Sequence, residues 1–317
     1  MIIFIAGATG AVGGRLVPLL LEQGHEVVAT TRTAAKAAGL RELGAMPVVV
    51  DALDRDAVFG AVTGAEPDVI VHQLTALSGD PDMKHFDRMF AQTNRLRTEG
   101  TRNLLDAGAQ AGVRRFVAQS FTGWPFAPEG GPIKDEDAPL DPSPPAAQRE
   151  SLAAIRALEE MVTAAPRTHG TEGVVLRYGG FYGPGTGLAR DGGDITEMLR
   201  RRKFPVVGDG GGIWSFTHVD DAASGVLAAL EPGRPAGIFQ IVDDEPAPAA
   251  EWLPALSAAL GAKPPRRVPT WLGRLAAGEV AVSMMTASRG ASNAKARRVL
   301  GWTPQWPTWR EGFVNGL

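Results

Sequence analysis

The first 119 residues alternate short β-branched apolar runs with longer amphipathic stretches. Ile2–Ala6, Glu26–Thr30, Pro47–Val50, Asp68–His72 and Arg114–Gln119 read as strands, because each run is short, rich in valine, isoleucine or alanine, and flanked by helical patterning. Between them, Ala11–Glu22, Thr33–Leu43, Asp54–Val62 and Asp87–Ala111 carry apolar residues at helical spacing. This alternation predicts an α/β fold, a doubly wound parallel sheet with helices on both faces. Ligands of such a sheet lie beyond the carboxyl ends of its strands.

From Phe121 to Gln148 the pattern breaks. Gly130-Gly131, the acidic cluster Asp135-Glu136-Asp137 and the prolines Pro139, Pro142, Pro144 and Pro145 predict a long loop, and a loop of that length in a compact domain usually serves a function. Helix resumes over Arg149–Ala165, followed by a strand at Gly173–Arg177 that extends the same sheet. Beyond it the chain reads as a smaller substrate lobe, with a short helix at Thr196–Arg202, a helix ending near Leu230, a strand at Ile238–Val242, and helices at Ala249–Leu260 and Trp271–Val282. The expected division is a nucleotide-binding domain over 1–177 and a lobe over 178–317, of which 216–242 returns to the first domain's core.

Composition narrows the chemistry. Thirty-two Lys+Arg against 35 Asp+Glu give a formal charge of −3, and the arginine pairs lie in separate segments, so a nucleic-acid surface is not expected. The chain has no cysteine, which removes thiolate nucleophiles, disulfides and cysteine-ligated metals; any redox work needs a borrowed cofactor. No His-Glu-x-x-His pair or clustered His/Asp triad stands at ligand spacing, so no metal is expected. The apolar start breaks at Gly7 and no later stretch reaches the ~20 apolar residues of a membrane span, so a cytoplasmic protein without a membrane partner is expected. A homodimer is left open as the assembly.

Directly after the first strand, Gly7-Ala8-Thr9-Gly10-Ala11-Val12-Gly13 spaces its glycines by three at the start of a helix. In that context Gly7 permits the tight turn, Gly10 admits a pyrophosphate to the backbone, and Gly13 lets helix and sheet pack closely, while Thr9, Ala11 and Val12 present N–H groups at the helix N-terminus. The fold expected is thus a Rossmann sheet with a dinucleotide. At the end of the second strand, Thr30-Thr31-Arg32 has no carboxylate for a ribose 2′-hydroxyl, and Arg32 with Lys36 would suit a 2′-phosphate, so NADP is expected over NAD. Asp51, Ala52 and Leu53, just past the third strand, are placed at the adenine; Asp51 as a plain helix cap is the alternative.

These residues resemble the extended short-chain dehydrogenase/reductase family, in its epimerase/dehydratase-like branch. The similarity runs through GATGAVGG, Val69–Thr75, Asn94 with EGTRNLLDAG, RYGGFYGPGTG (177–187), FTHVDDAASG (216–225) and SNAKARRVLGW (292–302). It implies cofactor contacts from Leu74, Thr75, Asn94, Gln119, Tyr178, Gly179 and Phe181. It also implies a tyrosine with a lysine four residues later, the lysine lowering the phenol's pKa so that it can exchange a proton as hydride moves. Aligning the family's following glutamate with Glu159 puts Ser151 at the tyrosine position and Ile155 at the lysine position. The standard relay is missing.

Ser120, in the position of the family's serine after the fifth strand, with Thr122 and Tyr182, are the candidate catalytic side chains. Trp124 reads as a pocket wall. His85 and Asp80 lie in a loop that reaches toward the substrate or stays on the surface, Arg156 points about 100° around its helix from Ile155, and His218 with Asp220 or Asp221 reads as a lobe junction and helix cap. The activity expected is an NADP-dependent oxidoreductase on a small organic carbonyl, alcohol or conjugated bond. Two alternatives stay open: a non-redox isomerase, cyclase or lyase on the same fold, and a catalytically silent NADP sensor.

Overall fold

A computed structural model describes residues 1–77 and 82–317. Seven parallel strands form the central sheet: β1 (Ile2–Ala6), β2 (Glu26–Thr31), β3 (Met46–Val49), β4 (Val69–His72), β5 (Arg115–Phe121), β6 (Glu172–Tyr178) and β7 (Gly237–Ile241), in the spatial order β7-β6-β5-β4-β1-β2-β3. The order reverses beside β1, which opens a crevice at the carboxyl ends of β1 and β4. Strand β7 pairs with β6 along its whole length, so the chain comes back to the sheet after leaving it at Tyr178.

Both faces of the sheet are covered. On one, α1 (Ala11–Glu22) packs Leu16, Val17 and Leu20 against Val226 and Ala229 of a helix over Val219–Leu230, with Leu300 and Trp302 completing the cluster. On the other, α3 (Arg55–Ala65), α5 (Thr101–Gln110) and α6 (Arg149–Thr168) enclose Val58, Val62, Leu104, Leu158 and Val162. Between β2 and β3 lies α2 (Ala34–Glu42). The helix expected over Asp87–Ala111 is broken: α4 (Phe86–Arg95) passes into a π-helical turn, Leu96–Gly100, before α5. A separate apolar cluster of Tyr182, Leu199, Phe216, Trp252, Trp309 and Phe313 forms the lobe beyond the strand ends.

The proline-rich stretch is less irregular than its composition predicts. Ile133–Lys134 pairs with Gly290–Ala291, and buried Glu136 accepts a hydrogen bond at 2.8 Å from the backbone N–H of Gln240 in β7. Arg156 reaches out from α6 to the carbonyls of Leu140 and Asp141, so its guanidinium anchors this loop. Among the described residues no helix is long and apolar enough to cross a membrane.

Candidate active site

The glycine turn is over-determined by its neighbours. Gly7 has φ +100°, and a Cβ there would lie 2.7 Å from the Gln73 carbonyl oxygen; a Cβ on Gly13 would lie 2.2 Å from the Gly7 oxygen. Both positions therefore require glycine. Gly10 caps α1 with no side-chain hydrogen bond, and the first turn carries no acid, so the helix N-terminus presents free N–H groups to the crevice.

That crevice is a cleft of about 550 Å³. Its floor is Gly7, Thr9, Gly10, Ala11 and Val12; its far wall is Arg32, Lys36, Asp51 and Ala52; its near wall is Gln73, Leu74, Thr75, Gln119 and Phe121, closed by Phe181 and the Gly185–Gly187 turn. Arg32 and Lys36 are exposed at the end of β2 with no carboxylate beside them in the strand. Asp51 accepts from the Leu53 N–H at 3.0 Å, while the cap of α3 is Asp54, so Asp51 is not that helix's cap. Leu53 itself lies outside the lining, as does Gly13, whose part is to hold the turn against the helix.

Gln73 was not singled out in the sequence. Gln73 lines the cleft, and both polar atoms of its side chain are buried without a well-formed hydrogen bond among the described residues, the Tyr178 hydroxyl being the polar group beside them. A buried amide without partners is costly, and a polar ligand in the cleft would satisfy it. Free helix N–H groups, a glycine floor and this orphaned amide together fit a dinucleotide.

Three other positions expected at the cofactor lie elsewhere. Tyr178 is buried and donates its hydroxyl to the Ala222 carbonyl at 3.2 Å. Gly179 is packed so closely that a Cβ would lie 2.3 Å from the Ser215 oxygen. Asn94 donates to the Ser151 hydroxyl at 3.1 Å, and Ser151 in turn donates to Asp87 at 2.6 Å.

The expected catalytic set is corrected throughout. Strand β5 runs to Phe121, two residues past its expected end, so Ser120 and Thr122 follow the two-residue alternation of the strand and turn away from the cleft that Gln119 and Phe121 line. Ser120 donates to Glu159 at 2.7 Å, and Glu159 is paired with Arg177 in a buried bridge of 2.6 Å. Thr122 donates to Gln240 at 2.5 Å. Tyr182 alternates in the same way: Phe181 lines the cleft, whereas Tyr182 is enclosed by Phe216, His218 and Phe313, its hydroxyl without a partner among the described residues. Burial, reinforced by Asp243 and Asp221, pushes its phenol far above the usual range. It neither reaches the cleft nor ionises.

His218 caps the helix over Val219–Leu230 and its Nε2 lies 2.9 Å from the Gly316 carbonyl, and Asp221 accepts the Gln305 and Trp306 N–H groups. His85 pairs with Asp82 at 2.9 Å on the surface. Asp80 lies outside the described residues. At the end of β4, buried His72 accepts from the Leu74 N–H on Nδ1, so Nε2 carries the proton toward Thr101 and Leu96; desolvation lowers its pKa to about 4, with a smaller contribution from Arg97, against a hydrogen bond to Leu96 that raises it. It is neutral near pH 7.

Ser151 and Ile155 are both fully buried on the α6 face that precedes Glu159. Trp124 lies 6.2 Å from Phe121, the two rings tilted at 35°, and meets Phe86 edge-on at 5.4 Å, so an aromatic wall stands beside the β5 end where a hydroxyl and a phenol were expected.

Residues 3–241 match the model of the NAD-dependent epimerase/dehydratase family. A 3-diazoavenalumate denitrifying reductase of Streptomyces sp is 46% identical over 317 residues, covering 99% of each chain. Among solved structures, UDP-glucose 4-epimerase of Thermotoga maritima superposes with a TM-score of 0.77 at 21% identity, covering 99% of this chain and 96% of the other. A short-chain dehydrogenase/reductase superfamily protein of Agrobacterium tumefaciens with bound NAD superposes with a TM-score of 0.72 at 26% identity, covering 99% and 95%. The chain belongs to the NAD-dependent epimerase/dehydratase family and is an NAD(P)-dependent enzyme.

Proposed function

We propose that this enzyme is an NADPH-dependent reductase that replaces a diazo group by hydrogen. The observation that carries the reading is the chemistry of the reacting end of the cleft. Phe121 and Trp124 stand at the β5 end, Ser151 and Ile155 take the places of the family's proton relay, and the hydroxyls of Ser120, Thr122 and Tyr182 are committed or buried elsewhere. A carbonyl reduction needs a proton at oxygen, and losing a positioned acid typically costs about 10² to 10⁴ in rate.

Removal of nitrogen does not have that requirement. A reduced nicotinamide held in this cleft supplies hydride. When hydride reaches a carbon bearing a diazonium group, the C–H bond forms as the C–N bond breaks, the bonding pair departs with dinitrogen, and no proton is consumed. The Streptomyces relative's name, a denitrifying reductase of a diazo carboxylate, supports the same chemistry. On this reading the aromatic wall excludes water from the reactive carbon, and the protein supplies position rather than acid–base catalysis.

Arg32 and Lys36 support NADPH over NADH, since both cations flank the end of β2 where no carboxylate would repel a 2′-phosphate. The test is to incubate the enzyme with NADPH and a diazo-substituted aryl carboxylate, with a panel of carbonyl compounds as comparison. Equal amounts of NADPH oxidised and dinitrogen released, with slow or no carbonyl turnover, are expected. NADPH binding without consumption would identify a sensor, and preferred carbonyl turnover would identify a ketoreductase.

A further inference from the structure

Arg97 is a charged side chain without a hydrogen-bond partner among the described residues. It is the second residue of the π-helical turn between α4 and α5, an irregularity often found at functional sites, and it is only 7% exposed. Its Nη1 is buried with no hydrogen-bond partner among the described residues. The carboxylate whose field it feels is Glu159, yet both oxygens of Glu159 are already taken, Oε1 by Ser120 and Arg177 Nε and Oε2 by Arg177 Nη2. Burial lowers the Arg97 pKa to about 10, against a smaller opposing effect of Glu159, so the group remains a cation near pH 7. A buried cation without a paired anion is unfavourable in a protein interior and is sustained where a ligand completes it.

Its neighbours give the ligand a shape. Leu96, the preceding residue, lines the cleft, and Asn94, three residues earlier, bonds Ser151 on α6. The guanidinium stands over the ring of Phe90, 5.9 Å from its centroid. Phe90 stacks on Phe86 at 4.4 Å, Phe86 meets Trp124 at 5.4 Å, and Trp124 meets Phe121 of the cleft at 6.2 Å. A row of rings, of which Phe121 lines the cleft, thus runs from the reacting end of the cleft to a cation without a hydrogen-bond partner among the described residues.

We infer that Arg97 is the anion receptor of the substrate site, holding the oxyanion of a planar conjugated acid that lies against Phe121, Trp124 and Phe90, the half-buried rings of this row, Phe86 itself being buried. A guanidinium suits a carboxylate by two parallel hydrogen bonds and a phenolate by one. The inference deepens the reductase reading and rests on it for the reaction, but anion binding is measured without turnover.

The experiment is isothermal titration of the NADP-loaded protein with cinnamate, with uncharged cinnamamide, and with 4-nitrophenolate, comparing the natural protein with Arg97→Met and Arg97→Lys. Cinnamate, 4-nitrophenolate or both should bind at least tenfold more tightly than cinnamamide; Arg97→Met should abolish that preference and Arg97→Lys retain part of it, with NADP affinity unchanged in each. Arg97→Met should also melt no lower than the natural protein, since it removes an unpaired buried charge. Equal binding of anion and amide by the natural protein, equal anion binding by Arg97→Met, or a lowered melting temperature with anion preference intact would overturn the assignment. If anions bind through Arg97 but diazo compounds are not reduced, the reductase reading falls alone; if they are reduced equally well by Arg97→Met, the receptor falls alone.

Discussion

Ser120 and Phe121 are neighbours in the chain and face opposite sides of one sheet. In a strand buried on both faces, apolar residues do not alternate with polar ones, so the sequence Phe116–Phe121 carries no mark of which face is which. That is why Ser120 read as a catalytic residue while Phe121, Gln73 and Arg97 went unremarked; Phe121 matters through the face it presents to the cleft, Gln73 and Arg97 through buried polar atoms without a well-formed hydrogen bond among the described residues, and only three dimensions reveal either. Ser120→Ala should therefore lower kcat less than twofold and cost about 1 kcal/mol of stability through the lost bond to Glu159, read by urea unfolding. A fall of a hundredfold in kcat would restore Ser120 to the chemistry. Arg32→Ala should raise KM for NADPH by about tenfold, the scale of one charge-assisted hydrogen bond, and leave KM for NADH unchanged. Equal effects on both would remove Arg32 from the 2′-phosphate.

Among the elements, the strands and the glycine turn were legible because their signals are local: β-branched runs, and glycines forced by close backbone approach at Gly7 and Gly13. The π-turn at Leu96–Gly100 was not, because helical periodicity continues on both sides of it. Nor was the anchoring of the proline-rich loop, which depends on Glu136 meeting Gln240 across more than 100 residues of chain and on Arg156 reaching back from α6 to the Leu140 and Asp141 carbonyls. Helix α6 gives the sharpest test at this scale. Ser151 and Ile155 are fully buried, and Ser151 is bonded to Asp87 and Asn94. The double substitution Ser151→Tyr with Ile155→Lys should thus leave the proposed diazo reduction unchanged or lower it, through overpacking of about 1–3 kcal/mol and because the proposed reaction does not need the relay. A large gain in rate, measured alongside the melting temperature, would mean that the relay is needed.

For the whole molecule, the two faces of the sheet and the lobe form three apolar clusters, and the cleft lies where their edges meet the strand ends. Burial of titratable groups sets its response to acid. His72 has a folded pKa of about 4 against an ordinary 6.5, so the unfolded chain binds the proton first and stability falls as pH drops from about 6.5 toward 4, by up to about 3 kcal/mol. Asp243 and Glu136, raised by burial, act in the opposite sense, losing stability as pH rises above the ordinary carboxylate range. Unfolding free energy against pH should show the acid-side loss, and His72→Gln should flatten it; an unchanged slope would place the titration elsewhere. The central claim is that hydride, with no proton from the protein, replaces the nitrogen group. It is tested most directly with NADPH deuterated at C4 on the transferred face, in ordinary water. One deuterium on the carbon that carried nitrogen, with dinitrogen released in equal amount and the same kcat in heavy water, is the predicted result; solvent hydrogen at that carbon, or nitrogen retained in the product, would contradict it.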